Sequence, residues 1–279
     1  MTKRTILNKL WRDQEIIGKI YCQILRLNIG GCLNESEKET FFKHLKSLMH
    51  KLHAIKYHLA NYRKIEKEFQ FGAIEAIQIN QNEVKEAFEL IFELEAFFFQ
   101  IKSSLDILTK LIPPILGNDC ISTRTYKNKG DSIIKGLNQL KNNKSFESKE
   151  IEDMINLIRQ DKDHWIQATI DWRDELSHYE GVKDFYFLPK KHKTKLYTVG
   201  KPEFKGRDVL QTMEMISQNN LNYSQEFISI ALSIRMSKVF KLMRGSEEDA
   251  MKSFDNELPY AKYAVYYWTF KNHPVKEQT

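Results

Sequence analysis

Three long apolar stripes repeat at helical spacing, and they restrict the fold more than any other feature of this chain. The first consists of Phe41, Leu45, Leu48, Leu52, Ile55, Leu59 and Tyr62. The second consists of Val84, Phe88, Ile91, Leu94, Phe98, Ile101, Leu105, Leu108 and Ile112. The third consists of Ile151, Ile155, Ile158, Trp165, Trp172, Leu176 and Tyr179. Each set occupies one face of an α-helix. The stripes therefore predict an all-α fold, a bundle of long antiparallel helices.

Local signals give the helix boundaries. Asn34-Glu35-Ser36-Glu37 is a plausible helix start, and residues 1–35 are predicted to be a helical extension of the main domain, 36–279. The second helix is predicted from about 82 to 112, because Pro113-Pro114 should stop it. A shorter helix over 131–142 precedes the long helix of the third stripe, which we expect at about 148–180.

The periodicity changes after Gly181. Residues 184–188 and 196–199 alternate like two short strands, which predicts a small β-hairpin insertion with Lys190-Lys191-His192-Lys193 at its tip. C-terminal helices are then expected over 207–270. The first of them has a possible break near Asn219-Asn220.

The excess positive charge is concentrated in the hairpin segment. The whole chain carries a formal charge of +6, and residues 183–207 alone contain eight basic and two acidic residues. The remainder is therefore neutral overall. The lysines of this basic hairpin, taken as 182–206, are candidates for binding the RNA backbone. They are Lys190, Lys191, Lys193 and Lys195. A merely solvated loop tip is the alternative interpretation.

Composition excludes several other classes of protein. No apolar run approaches 18 residues, so no membrane span is expected. The three cysteines show neither a disulfide pattern nor a metal-binding spacing, which is typical of a cytoplasmic protein with reduced thiols. We expect no cofactor and no metal.

The end of the third helix carries the clearest chemical signal. Arg173, Asp174, Ser177 and His178 fall on the arc opposite the apolar stripe when residues are counted at 100° each. Asp174 is four residues before His178, so its carboxylate can orient the imidazole and favour the cation. Together these side chains suit a phosphate and a proton transfer.

These residues resemble a known family. Arg173-Asp174-x-x-x-His178 is similar to the Arg-polar-x3-His signature of HEPN domains (higher eukaryotes and prokaryotes nucleotide-binding). The segment from Phe97 to Asp106 is similar to an earlier long helix of several bacterial HEPN groups. The resemblance implies an all-helical, dimeric and metal-independent ribonuclease of toxin–antitoxin, abortive-infection or antiviral defence systems.

The resemblance implies a role for each site residue. Arg173 would contact the phosphate, His178 would transfer protons, and Asp174 would orient His178. Ser177 and Asp106 would support them. The partners implied are RNA, a second copy of the chain, and a cognate antitoxin or defence-complex protein.

Two other interpretations stay open. The chain could be a non-catalytic HEPN-like module that binds RNA or protein, or an unrelated helical scaffold. In the latter case Arg173 and Asp174 would belong to a solvated charged face, and His178 would only complement the helix dipole. For Asp106, structural pairing and support of Arg173 are equally consistent with the sequence.

Overall fold

The computed structural model describes residues 33–78, 88–117, 125–142, 146, 148–177, 189–191, 197–199, 201–204, 206–236, 240–244 and 266–270. Most of these residues are helical, which confirms the all-α prediction. The helices are α1 (Glu35–Gln78), α2 (Phe88–Leu116), α3 (Asp131–Lys141), α4 (Ser148–Asp161), α5 (Gln167–Ser177) and α6 (Val209–Met236). The expected N-terminal helix before residue 33 lies outside the described residues.

Helix α1 begins where the sequence predicts, at a reciprocal cap. The backbone N–H of Glu37 donates to Oδ1 of Asn34 at 2.9 Å, and the N–H of Asn34 donates to Oε2 of Glu37, also at 2.9 Å. Two N–H groups at the helix start are satisfied in this way. Of the predicted stripe only Leu59 is half-exposed, and the other six residues are buried.

Helix α2 runs through Pro113 and Pro114 to Leu116, so the prediction that the prolines stop it is wrong. A proline keeps a helical φ, at the cost of a lost backbone hydrogen bond and of crowding between its ring and the preceding turn. Burial of Ile115 and Leu116 offsets that loss in the last turn. The helix ends instead at Gly117, which has a φ of 100° and donates its N–H to the Pro113 carbonyl at 2.9 Å. The predicted start, near residue 82, lies outside the described residues.

The helix of the third stripe is interrupted. A π turn at Lys162–Ile166 separates α4 from α5. A π turn carries more residues per turn than an α-helix, so a count of 100° per residue cannot be carried through it. The predicted single helix over 148–180 is therefore two α-helical segments with a π turn between them, and residues 178–180 are outside the described part.

Helix α6 begins after Asp208, whose Oδ1 accepts the N–H of Gln211 at 2.9 Å. Of the two alternatives at Asn219-Asn220, a break or a continuous helix, the structure has the second, since α6 runs from Val209 to Met236. Asn220 is fully buried within it.

The strands form three two-stranded antiparallel sheets. They pair β1 (Pro189–Lys191) with β2 (Tyr197–Val199), β3 (Glu203–Phe204) with β4 (Arg207–Asp208), and β5 (Phe240–Arg244) with β6 (Tyr266–Phe270). The hairpin is confirmed, but Lys190 lies opposite Thr198 in a strand and not at the tip. The prediction of only helices over 207–270 is wrong at β5 and β6. The proposed strand 184–188 lies outside the described residues.

The chain divides into two compact units. Unit 1 contains Met1–His50, Ser104–His164 and Leu221–Thr279, and unit 2 contains Lys51–Ser103 and Trp165–Asn220. In unit 1 the hydroxyls of Tyr126 and Tyr223 are 2.7 Å apart and buried. Burial raises the pKa of both tyrosines well above the ordinary value, so the pair stays neutral.

A left-handed turn precedes α3 in the same unit. Gly130 has a φ of 102° and follows two further left-handed residues, Asn128 and Lys129. A Cβ at Gly130 would lie 2.7 Å from Cγ2 of Ile158 and 2.8 Å from Oη of Tyr126. Position 130 therefore requires glycine for its conformation and for its space.

Candidate functional site

The candidate site lies in unit 2, on the last turns of α5. Trp172 and Leu176 are buried and fix this end of the helix. The Trp172 ring meets the ring of Phe98 edge to face, with centroids 6.2 Å apart. This contact between α5 and α2 sets the direction in which the next residue, Arg173, projects.

Contacts with Asp174 and Phe99 help to hold Arg173. Its Nη1 donates to Oδ1 of Asp174 at 2.5 Å, and its guanidinium carbon lies 5.2 Å from the centroid of the Phe99 ring. The Arg173 side chain is 29% exposed and that of Asp174 is 47% exposed. The guanidinium is thus partly buried and held beside a carboxylate and an aromatic ring.

The structure pairs Asp174 with Arg173, as the charged-face interpretation of the sequence allowed. Asp174 was predicted to orient His178, whereas its described ion pair is with Arg173. His178 lies outside the described residues, immediately after Ser177, the last residue of α5. Ser177 is described in its backbone only. The predicted pairing of Asp174 with His178 therefore stays a prediction.

Asp106 belongs to unit 1, whereas Arg173 belongs to unit 2. Oδ1 of Asp106 accepts the backbone N–H of Tyr126 at 2.7 Å. A carboxylate that caps a loop N–H has a structural role, which was one of the two interpretations of this residue.

The four lysines of the basic hairpin are only partly described. Lys190 and Lys191 form part of β1, described in its backbone, while Lys193 and Lys195 fall outside the described residues. The paired strands β1 and β2 give Lys190 and Lys191 a defined backbone.

Sequence reasoning missed two members of the site, Phe99 and Arg207. Phe99 occurs in the segment that suggested the family, but nothing in that segment indicates contact with Arg173. Arg207 lies at the end of the basic run, and its guanidinium carbon is 5.9 Å from the centroid of the Trp172 ring. Only the tertiary structure brings these residues to α5, so periodicity could not reveal them.

The described residues contain no group of three or more histidine, cysteine or acidic side chains that could hold a metal ion. In the same part of the chain, no helix combines the length and apolar character needed to cross a bilayer. Comparisons with protein-family models, with curated proteins and with solved structures return no match.

Proposed function

We propose that this protein is a metal-independent endoribonuclease of the HEPN type. The observation that carries the proposal is the positioned guanidinium of Arg173, fixed by Asp174 and Phe99 five residues before His178. Guanidinium groups recognise phosphates because their N–H donors lie in one plane and match two oxygens at once. The similarity of Arg173-Asp174-x-x-x-His178 to the HEPN signature supports the same function.

RNA supplies its own nucleophile, which limits what the protein must provide. The 2′-hydroxyl attacks the adjacent phosphorus, the bond to the 5′-oxygen breaks, and a 2′,3′-cyclic phosphate forms. Arg173 would neutralise charge on the phosphate oxygens during this step. His178 would take the proton from the 2′-hydroxyl or give one to the departing 5′-oxygen.

The ion pair assigns a different role to Asp174 in this mechanism. A carboxylate bound to Nη1 restricts the rotation of the Arg173 guanidinium and directs its other donors. We therefore propose Asp174 as a positioning residue for Arg173, whatever its relation to His178. Toxin or defence activity against cytoplasmic RNA, restrained by a cognate antitoxin or complex protein, is part of the proposal.

The proposed mechanism includes a homodimer, because two copies of His178 near one cleft would supply both the general acid and the general base. Exposed aromatic residues on α2 support such an assembly. Phe88, Phe92 and Phe99 are 54%, 63% and 45% exposed, and at 3.6 residues per turn they fall within an arc of about 40°. Exposed aromatic side chains aligned along one side of a helix are typical of an interaction surface.

Replacing Phe92 with serine should weaken the dimer at least about tenfold, because a buried aromatic anchor contributes more than 1 kcal/mol to a typical interface. Light scattering across micromolar concentrations would measure the shift. Phe71→Ser, which changes a 59% exposed phenylalanine on α1, is the matched control. A wild-type monomer throughout that range, or equal effects of the two variants, would contradict the proposed interface.

A non-catalytic RNA- or protein-binding module is the second candidate. The ion pair of Arg173 with Asp174 favours it, because an engaged guanidinium offers fewer donors to a reacting phosphate. Its prediction is that RNA binds without being cut.

Incubation of the purified protein with total RNA in excess EDTA tests whether it cleaves RNA without a metal ion. Cleavage should persist in the chelator and leave 2′,3′-cyclic phosphate or its hydrolysis product, because the nucleophile belongs to the RNA. End-group analysis of the fragments gives the readout. Loss of cleavage in EDTA, restored by added magnesium, would replace this mechanism with a metal-dependent one.

A further inference from the structure

Arg207 lies over the indole of Trp172, the residue that precedes Arg173. The guanidinium carbon is 5.9 Å from the ring centroid, within the range of a cation–π contact. Trp172 is only 7% exposed, so its ring is not open to a nucleobase. Arg207 is exposed. The Trp172 ring therefore contacts the Arg207 guanidinium on one side, and the exposed side of the guanidinium can meet a ligand.

The segment that carries Arg207 is fixed on both sides. The β3–β4 pair turns at Gly206, whose φ of 72° permits the tight reversal. Asp208, the residue after Arg207, caps α6. The N–H of Val209 donates to the Pro202 carbonyl at 3.3 Å. Arg207 thus has a constrained backbone, which lowers the entropic cost of ordering its side chain on a ligand.

An ion pair ties the start of this segment to α1. Nζ of Lys201 donates to Oε2 of Glu66 at 3.2 Å and lies 3.9 Å from Oδ2 of Asp208. Glu66 is 3% exposed, and its burial raises the pKa of the carboxyl group, an effect that Lys201 opposes. A buried carboxylate needs its partner, so the contact holds Lys201 in place.

The cations of this region differ in how they are neutralised. Arg173 is paired with Asp174, and Lys201 is paired with Glu66 and lies near Asp208. For Arg207, the described part of the chain provides the Trp172 ring but no carboxylate within salt-bridge distance. Arg207 therefore keeps a positive charge for which an anionic ligand is the natural partner.

We infer that Arg207 binds a backbone phosphate of the RNA strand whose reacting phosphate contacts Arg173. The inference rests on the proposed function for the identity of the ligand. A cation–π contact leaves the in-plane N–H donors of a guanidinium for phosphate oxygens. Arg207 would act in substrate binding, and Arg173 in the chemical step.

The test measures binding to a single-stranded 2′-O-methyl oligonucleotide, which lacks the attacking hydroxyl and cannot be cleaved. Arg207→Gln should weaken binding about tenfold, the loss expected for one charged hydrogen-bonded contact. The slope of log affinity against log salt should fall in magnitude by about 0.7, the value for one phosphate contact on a single strand. Arg207→Lys should retain most of the slope, because it retains the charge.

Arg63→Gln is the matched control, since it removes the same charge from the same unit. Arg63 already pairs with Glu214 at 2.6 Å, and its side chain is 57% exposed. Equal effects of Arg63→Gln and Arg207→Gln on affinity and salt slope would overturn the inference. A second result would also overturn it: Arg207→Gln lowers the thermal midpoint, yet the folded variant binds the oligonucleotide as tightly as the wild-type protein. Arg207 would then only cover Trp172.

Cleavage kinetics separate this inference from the proposed function. With cleavable RNA, Arg207→Gln should raise KM and leave kcat within about twofold, as expected for uniform binding. If the protein binds RNA but never cuts it, and Arg207→Gln still lowers affinity and slope, the phosphate contact of Arg207 stands, whereas the nuclease proposal and the reacting phosphate at Arg173 fail. If the wild-type protein binds no RNA, both fail.

Discussion

Replacing His178 with alanine should slow RNA cleavage by about 10²–10⁴-fold, the contribution of a positioned acid or base. Arg173→Ala should cause a comparable loss. Arg173→Lys should not restore activity, because one ammonium cannot reproduce the two-point phosphate contact of a guanidinium. Initial rates on a labelled RNA, with substrate above KM, measure the effect on the chemical step.

His164→Ala is the control for this experiment. His164 lies in the π turn of the same helix and is exposed, so its loss should leave the rate within about twofold. Circular dichroism and light scattering would verify that every variant is folded and has the wild-type mass. Cleavage by His178→Ala at the wild-type rate would refute the catalytic assignment, and RNA binding without cleavage by the wild-type protein would favour the binding module.

The second large effect concerns stability. Gly130→Ala should lower the free energy of unfolding by on the order of 2–4 kcal/mol, which combines left-handed strain with overpacking. The new Cβ would lie 2.7 Å from Ile158 and 2.8 Å from the Tyr126 hydroxyl, so the buried hydrogen bond to Tyr223 would have to shift. Urea denaturation followed by circular dichroism gives the value.

Gly72→Ala should change the free energy of unfolding in the opposite direction. Gly72 lies within α1, and a Cβ there meets nothing within 4 Å. Alanine should therefore raise stability by about 0.5–1 kcal/mol through its higher helix propensity. A loss at Gly130 no greater than about 0.5 kcal/mol would show that the turn before α3 can rearrange to accept a side chain.

The sequence predicts best what is local. The cap at Asn34 and Glu37 depends on residues three apart, and the α1 stripe depends on a period that one helix repeats. The start of α4 at Ser148 was predicted for the same reason. In each case the deciding interactions lie within a few turns of the same helix.

Predictions failed where distant contacts outweigh local preference. Burial of Ile115 and Leu116 carries α2 past two prolines, and β5 pairs with β6 across a long intervening segment. For the candidate site, the sequence pointed to Arg173 and Asp174, and the structure pairs them with each other. The contact with Phe99 depends on packing between α2 and α5, which no motif in either helix encodes.

The π turn at Lys162–Ile166 also affects how relatives of this chain should be recognised. Such turns behave as single-residue insertions accommodated within a helix. A homologue without the insertion would carry its arginine one residue closer along the sequence to the apolar residues of α4. Alignments should therefore allow a one-residue gap between α4 and α5 while keeping the spacing from Arg173 to His178 fixed.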